Sequence, residues 1–174
     1  MQRAWFLPLL ASIACAGAAP SFEGGVYHGR GVAFGLGEVP SAWHRIDVDD
    51  ASLAFTDDHG SSVLVNARCN LRSDDVPLVA LTNQLVIGTT DRAYVKEETI
   101  SLDRREARHT VMRAKLDGVE LVWDVYVMKK DGCVYDVVLV APPDRFDQGS
   151  AVFDRFATGL HTVREGPREM GSGS

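Results

Sequence analysis

The chain has 174 residues, 45% of them hydrophobic and 24% charged, and its formal net charge at pH 7 is −6. This length fits one globular domain with a substantial core. Acidic and basic residues are interspersed along the sequence, which argues against a nucleic-acid-binding surface and against a polybasic membrane-binding patch.

The first twenty residues have the pattern of a secretory signal peptide. Arg3 supplies a positive charge, and residues 4–19 carry none. The apolar run is too short and too rich in small residues to span a bilayer, which needs about 20 apolar residues. We therefore predict a signal peptide over residues 1–15, with cleavage near 14/15 or 18/19.

Two processing routes fit this segment. Ala16-Gly17-Ala18 offers an ordinary cleavage site, which would give a soluble secreted protein. The stretch "SIAC" instead resembles a bacterial lipobox, although Ser12 stands where leucine is usual. In that case Cys15 becomes the first mature residue and carries lipid. We predict lipidation of Cys15 and a location in the periplasm or at the outer membrane, anchored through that lipid.

Glycine, alanine and proline dominate residues 16–30, which we predict to be a flexible tether. Residues 164–174 contain few apolar side chains, so a disordered tail is expected there. Its final Gly-Ser-Gly-Ser is typical of an appended cloning sequence. A single domain is predicted between the two, over residues 31–163.

Alternation of apolar and polar residues predicts β-strands through the first half of the domain. The stretch "GVAFGL" begins the pattern, and "AWHRIDV" and "ASLAFTD" follow as short strands around an Asp49-Asp50 turn. "DDHG" then forms a hairpin turn before "SSVLVNARC", which predicts a half-buried strand ending at Cys69.

Two segments have helical spacing instead. Leucines three and four residues apart, an early proline and a terminal glycine predict a helix over about 76–87, capped by Asp74 or Asp75. A second apolar stripe predicts a helix over about 148–161, capped by Asp144 or Asp147.

The last four strands are predicted to form an antiparallel meander. Asp117-Gly118 and Asp131-Gly132 lie between strand-like stretches, and Asp-Gly supplies the positive φ angles that two-residue hairpin turns need. The stretch "VYDVVLV" is almost continuously apolar, which indicates a strand buried on both faces by helices or loops. The fold class is therefore α+β, a largely antiparallel β-sheet flanked by two main α-helices.

Three longer stretches resemble the PsbP-like family. They are "VAFGLGEVPSAW", "ISLDRREARHTVMRAKLDG" and "VYVMKKDGCVYDVVLVAPPDRFDQGSAVFDRFATGL". The resemblance covers roughly residues 30–162 and implies a PsbP-like α/β/α sandwich. Well-known members are extrinsic photosystem subunits or assembly factors, and many bacterial relatives are exported lipoproteins. No family metal site carries over, because the sequence has no matching His/Asp motif.

Standard catalytic signatures are absent from the sequence, so we predict no enzyme, no catalytic residue, no metal site and no cofactor. Asp47, Asp49, Asp50 and Asp58 are interpreted as turn acids, because Ser52 stands where a calcium loop needs glycine. His59 and His109 are interpreted as surface residues. The basic stretch from Arg104 to Lys115 is interpreted as a solvated sheet surface rather than an anion-binding patch.

Cys69 and Cys133 are the cysteines that remain once Cys15 is set aside. In an exported chain they are expected to form a disulfide, with two buried free thiols as the alternative. Nothing near Cys133 would activate it as a nucleophile, and two cysteines are too few for a zinc site.

The sequence thus favours an exported, lipid-anchored, non-catalytic binding or assembly module. Its partners would be a protein of unknown identity and the membrane, not nucleic acid, and the chain is expected to be a monomer. The alternative is a carrier of a small molecule or lipid, with a pocket between helix and sheet. An enzyme would require a cleft that gathers Asp57, His59 and Arg108.

Overall fold

In the computed structural model, which describes residues 19–29, 31–69 and 75–163, the chain forms eleven strands and two helices. The strands are β1 (Ser21–Glu23), β2 (Val26–Gly29), β3 (Val32–Gly35), β4 (His44–Ile46), β5 (Leu53–Thr56), β6 (Ser62–Cys69), β7 (Thr90–Leu102), β8 (Arg105–Leu116), β9 (Val119–Lys130), β10 (Cys133–Ala141) and β11 (His161–Thr162). The helices are α1 (Leu78–Leu85) and α2 (Pro143–Thr158). This is the α+β architecture expected from the sequence.

The main sheet has seven antiparallel strands in the order β4-β5-β6-β10-β9-β8-β7. Strands β7 to β10 form the predicted meander, and both Asp-Gly pairs are its two-residue turns. Asp117 and Gly118 have φ angles of 51° and 81°, and Asp131 and Gly132 have 52° and 75°. The turn between β7 and β8 has the same form but a different sequence, Asp103-Arg104.

Each face of the central strands is covered by one helix. Phe153 and Phe156 of α2 pack on Tyr126, Met128 and the inward residues of β10. On the opposite face, α1 packs on another apolar cluster, whose members include Leu81, Trp123, Val125, Val127, Val134 and Val138. Strand β10 is therefore buried on both faces, as its continuous apolar sequence predicted.

A second, four-stranded sheet in the order β1-β2-β3-β11 adds to the α2 side of the core. Tyr27, Phe34 and Leu36 bring its apolar face into the cluster that contains Phe156. The predicted flexible tether over 16–30 is therefore wrong for residues 21–29, which form the β1–β2 hairpin. The predicted signal peptide, Cys15 and the tail 164–174 lie outside the described residues.

The helix boundaries differ from the predicted ones. Helix α2 begins five residues earlier than expected, because Pro142 and Pro143 occupy the N-cap and the first helical position, where a proline costs no hydrogen bond. Helix α1 follows Pro77. Neither helix has a side-chain cap, so the predicted aspartate caps among the described residues are wrong.

Gly37 and Gly159 let the chain after β3 approach the end of α2 closely. The Gly37 N–H donates to the Phe156 carbonyl at 2.9 Å, and a Cβ on Gly37 would lie 2.8 Å from Phe156 Cα. Gly37→Ala should therefore lower the free energy of unfolding by about 1–3 kcal/mol, as overpacking does. Chemical denaturation would measure the loss.

Gly149 provides the matched control for that substitution. It lies inside α2, and a Cβ there would meet no atom within 4 Å. Gly149→Ala should raise stability by up to about 1 kcal/mol, because alanine is the better helix former. Equal effects of the two alanine substitutions would contradict the proposed role of the close approach at Gly37.

Candidate functional site

A disulfide joins Cys69 and Cys133 where β6 and β10 end. The two residues lie directly opposite each other in the antiparallel register, and their Cα atoms are 4.0 Å apart. This separation is shorter than the usual disulfide range but close to the spacing of the nearer type of antiparallel pair. The pairing puts both thiols out of use as nucleophiles.

The residues that an enzyme would have needed do not come together. The Asp57 carboxylate accepts the backbone N–H groups of His59 and Ser61, each at 2.8 Å, so it stabilises the β5–β6 turn. Burial acts to raise the pKa of Asp57, but these hydrogen bonds outweigh it and hold that pKa below its usual value. Arg108 lies on β8 instead, where it pairs with Glu97 of β7.

The other candidate ligands stay dispersed as well. Among residues 19–29, 31–69 and 75–163, no three His, Cys, Asp or Glu side chains are grouped so that they could hold a metal ion. Asp50 has a φ of 65° in the β4–β5 connection, which fits its interpretation as a turn residue.

The most distinctive arrangement of polar side chains lies in a groove between α2 and strands β7, β8 and β9. The groove encloses about 410 Å³. Its walls combine polar and apolar side chains, including Lys96, His109, Val111, Asp124, Phe146 and Asp154. It therefore lies between helix and sheet, where the carrier alternative placed its pocket.

His109 forms the floor of this groove and is only 4% exposed, so the prediction of a surface histidine is wrong. Its Nδ1 lies 2.9 Å from Glu98 Oε1 and its Nε2 lies 2.7 Å from Asp124 Oδ1. The ring stacks on Tyr126 with 4.0 Å between centroids. Glu98, His109 and Tyr126 are register partners, so the three side chains form a row across β7, β8 and β9.

Two carboxylates facing one imidazole favour its protonated form, because each ring nitrogen can then donate a hydrogen bond. Burial alone would lower the pKa of His109, but the hydrogen bonds to Asp124 and Glu98 outweigh it and raise that pKa. The positive charge of Lys96 works in the opposite direction. Burial raises the pKa of Asp124 despite its bond with His109.

Tyr126 connects this row to the helix above it. Its hydroxyl donates a hydrogen bond to the Asp154 carboxylate on α2. Burial and that hydrogen bond raise the pKa of Tyr126, so it stays a neutral donor. The polar row thus spans three strands and ends on α2.

This arrangement is suited to holding groups in place rather than to acid–base catalysis. Both nitrogens of His109 are engaged by carboxylates, so neither is free to take a proton from Ser150, the hydroxyl residue of the groove. The two-residue period could have located His109 from sequence, because it shares its strand face with Ala107 and Val111.

A second buried carboxylate interrupts the apolar sequence of β10 on its α1 side. Asp136 is fully buried, and it accepts hydrogen bonds from Asn66 at 2.9 Å and Arg68 at 2.7 Å. Burial raises the pKa of Asp136, while Arg68 and Asn66 act to lower it. These partners are on β6, so the cluster stabilises the β6–β10 pairing beside the disulfide.

No family model matches the sequence, and no curated protein matches it. Solved structures do match. Cyanobacterial PsbP (CyanoP) from Synechocystis sp. PCC 6803 is 17% identical, with a TM-score of 0.54 over 88% of this chain and 99% of that one. The chain has the PsbP-like fold.

Other structures with this PsbP-like arrangement come from different bacteria. LpqN, involved in cell envelope biogenesis of Mycobacterium tuberculosis, is 11% identical with a TM-score of 0.57, covering 83% of this chain and 90% of LpqN. A protein from Bacteroides thetaiotaomicron is 9% identical with a TM-score of 0.53, covering 77% of this chain and 46% of its own. At such identities the likeness defines the fold, and function must be argued from the sites.

Proposed function

We propose that the chain is an exported protein, held at a membrane of the cell envelope by lipid on Cys15, whose domain binds a protein partner without catalysing a reaction. The observation that carries the exported location is the Cys69–Cys133 disulfide. Disulfides of this structural kind form and persist in oxidising compartments and are rare in the cytosol of most organisms.

Two further observations support the envelope location. The N-terminal segment has the charge and hydropathy pattern of a signal peptide, with Cys15 in a lipobox-like context. LpqN, which shares the fold, is involved in cell envelope biogenesis. In the described part of the chain, neither helix has the length and apolar content that crossing a bilayer demands.

The non-catalytic part of the proposal is supported by how the polar residues are used. Both ring nitrogens of His109 are within hydrogen-bond distance of carboxylates, Asp57 stabilises a turn, and Cys133 is in a disulfide. These three side chains, which could otherwise act as a base or a nucleophile, are therefore engaged in structural contacts. A binding module needs only a stable surface, which this packing supplies.

Metabolic labelling with a palmitate analogue tests the anchor. Wild type should incorporate the label and sediment with membranes, whereas Cys15→Ser should lose both properties because the acceptor thiol is gone. The pair of substitutions Cys69→Ala and Cys133→Ala provides the control and should retain the label, because Cys15 is still present. An unlabelled wild-type protein would contradict lipidation.

The carrier alternative is favoured by the groove beside His109. The space directly beneath α2 is filled by Phe153 and Phe156, both fully buried, so a ligand would lie in the groove rather than in the core. Native mass spectrometry of the Cys15→Ser protein separates the two functions. A co-purifying small molecule would favour the carrier, and its absence would favour the binding module.

A further inference from the structure

The turn between β7 and β8 departs from the other two turns of the meander. All three have two residues with positive φ, and two of them use Asp-Gly. The third uses Asp103-Arg104, with φ angles of 45° and 61°. Glycine adopts this conformation without steric cost, whereas a long side chain does not. Arg104 therefore occupies a position where local conformation favours glycine.

Arg104 lines a cleft of about 520 Å³. The cleft lies where the β7–β8 turn meets the β9–β10 turn and the second sheet, to which Thr162 belongs. Arg105, the first residue of β8, lines the same cleft. Two adjacent arginines thus face one concavity at the end of the main sheet.

Arg104 and Arg105 differ from the basic residues farther along β8. Arg108 pairs with Glu97, Arg113 with Glu120 and Lys115 with Asp91. Arg104 and Arg105 form no salt bridge with any carboxylate in the part of the chain that the structure describes. Their donors are therefore available to a ligand.

One of the two acids that line the cleft is already paired with a positive charge. Asp103 accepts hydrogen bonds from Lys130 Nζ, from the Thr162 backbone N–H at 2.8 Å and from the Thr162 hydroxyl at 3.1 Å. The side chains of Asp103 and Lys130 are each only 11% exposed. Asp131 then remains as the opposing charge, so the two arginines leave the cleft with a positive balance.

We infer that this cleft is an oxyanion-binding site and that its ligand carries a phosphate group, either free or as part of a lipid head group. Guanidinium groups present planar pairs of donors that match phosphate oxygens, and charge-assisted hydrogen bonds of this kind are the strong ones. A concave site suits a small anionic group better than it suits the flat surface of a protein partner. The inference does not depend on lipid at Cys15.

Titration with inorganic phosphate, followed by the backbone amide signals of isotope-labelled Cys15→Ser protein, tests the site. Saturable shifts are expected at residues 103–105, 131–132 and 162. Adding Arg104→Gly should weaken phosphate binding roughly tenfold, the loss expected for a charge-assisted hydrogen bond. It should also raise the denaturation midpoint, because it creates a third Asp-Gly turn. A purely structural Arg104 would give no loss of binding.

Arg113→Gln is the matched control, because it removes an arginine of β8 that is already paired with Glu120. It should leave phosphate affinity unchanged within about twofold, since Arg113 does not line the cleft and salt screens exposed charges that lie farther away. Co-sedimentation with phosphatidylglycerol vesicles, compared with phosphatidylcholine vesicles, identifies the source of the phosphate. Binding that depends on Arg104 supports a head group, and phosphate binding alone supports a free anion. Absence of both, or equal losses in the Arg113 and Arg104 variants, would overturn the inference.

Discussion

Replacing Cys69 and Cys133 together by alanine should lower the free energy of unfolding by about 4 kcal/mol, the largest single effect expected in this fold. The disulfide joins residues 64 positions apart, so the oxidised unfolded chain loses much of its freedom. In the folded state, Cys133 is 8% exposed and belongs to the core cluster beneath α2. Alanine therefore suits the site better than serine, whose hydroxyl would be buried.

Urea denaturation with and without a thiol reductant measures this contribution. The reductant should destabilise wild type by about the same amount as the double substitution, and it should leave the double variant unchanged. Thiol titration of the oxidised protein should find neither Cys69 nor Cys133 free. A difference below about 1 kcal/mol would show that the unfolded chain is already constrained in other ways.

The elements that follow local rules could be predicted from the sequence, and the meander is the clearest case. Asp117-Gly118 and Asp131-Gly132 determine where β8 ends, where β9 begins and ends, and where β10 begins. Asp103-Arg104 forms an equivalent turn, but arginine gives no such signal. The pairing of β7 with β8 imposes the turn there. The dipeptide alone does not indicate it.

Composition misled the interpretation of the N-terminal segment. The small residues of 16–30 favour a flexible tether, but Gly24-Gly25 is also a hairpin signal, and both glycines have positive φ. Phe22 and Tyr27, on either side of these glycines, pack against the core formed by distant segments. That packing holds the segment as a hairpin. It cannot be predicted from local sequence, because it depends on β3 and β10.

The polar row at His109 could be predicted only in part for a similar reason. Alternation along β8 places His109 on the same face as apolar residues, which indicates burial. Its partners Glu98 and Asp124 are on two different strands, and Asp154, at the end of the row, is on α2. The register of β7, β8 and β9 brings them together, and register depends on turns and packing that the sequence only partly specifies.

The polar row also links the stability of the main sheet to the position of α2. Tyr126 is stacked on His109 and hydrogen-bonded to Asp154, so it connects the His109 ring to α2, which forms one wall of the groove. A change at His109 is therefore expected to act on the groove as well as on the sheet.

His109→Leu should lower the free energy of unfolding by about 3 kcal/mol or more, because it leaves Asp124 buried without its charged partner. Adding Asp124→Leu should recover most of that loss, since replacing both partners of a buried pair by apolar groups is nearly neutral. Glu98→Gln should cost much less than His109→Leu, because Glu98 lies at the exposed end of the row, where solvent screens its charge. A double variant less stable than His109→Leu would contradict the pairing.

The stability of the wild-type protein, measured as the urea midpoint at each pH, should also fall as pH rises above the ordinary histidine pKa of about 6.5. The pKa of His109 is raised in the folded state, so its contribution is complete below the ordinary histidine pKa of about 6.5 and is lost as pH rises through the folded-state value. The raised pKa of Asp124 also makes stability fall as pH rises, but over a lower range that begins near the ordinary aspartate pKa of about 4. The variant with leucine at positions 109 and 124 should have a flatter profile. An unchanged slope in that variant would assign the pH dependence to other groups.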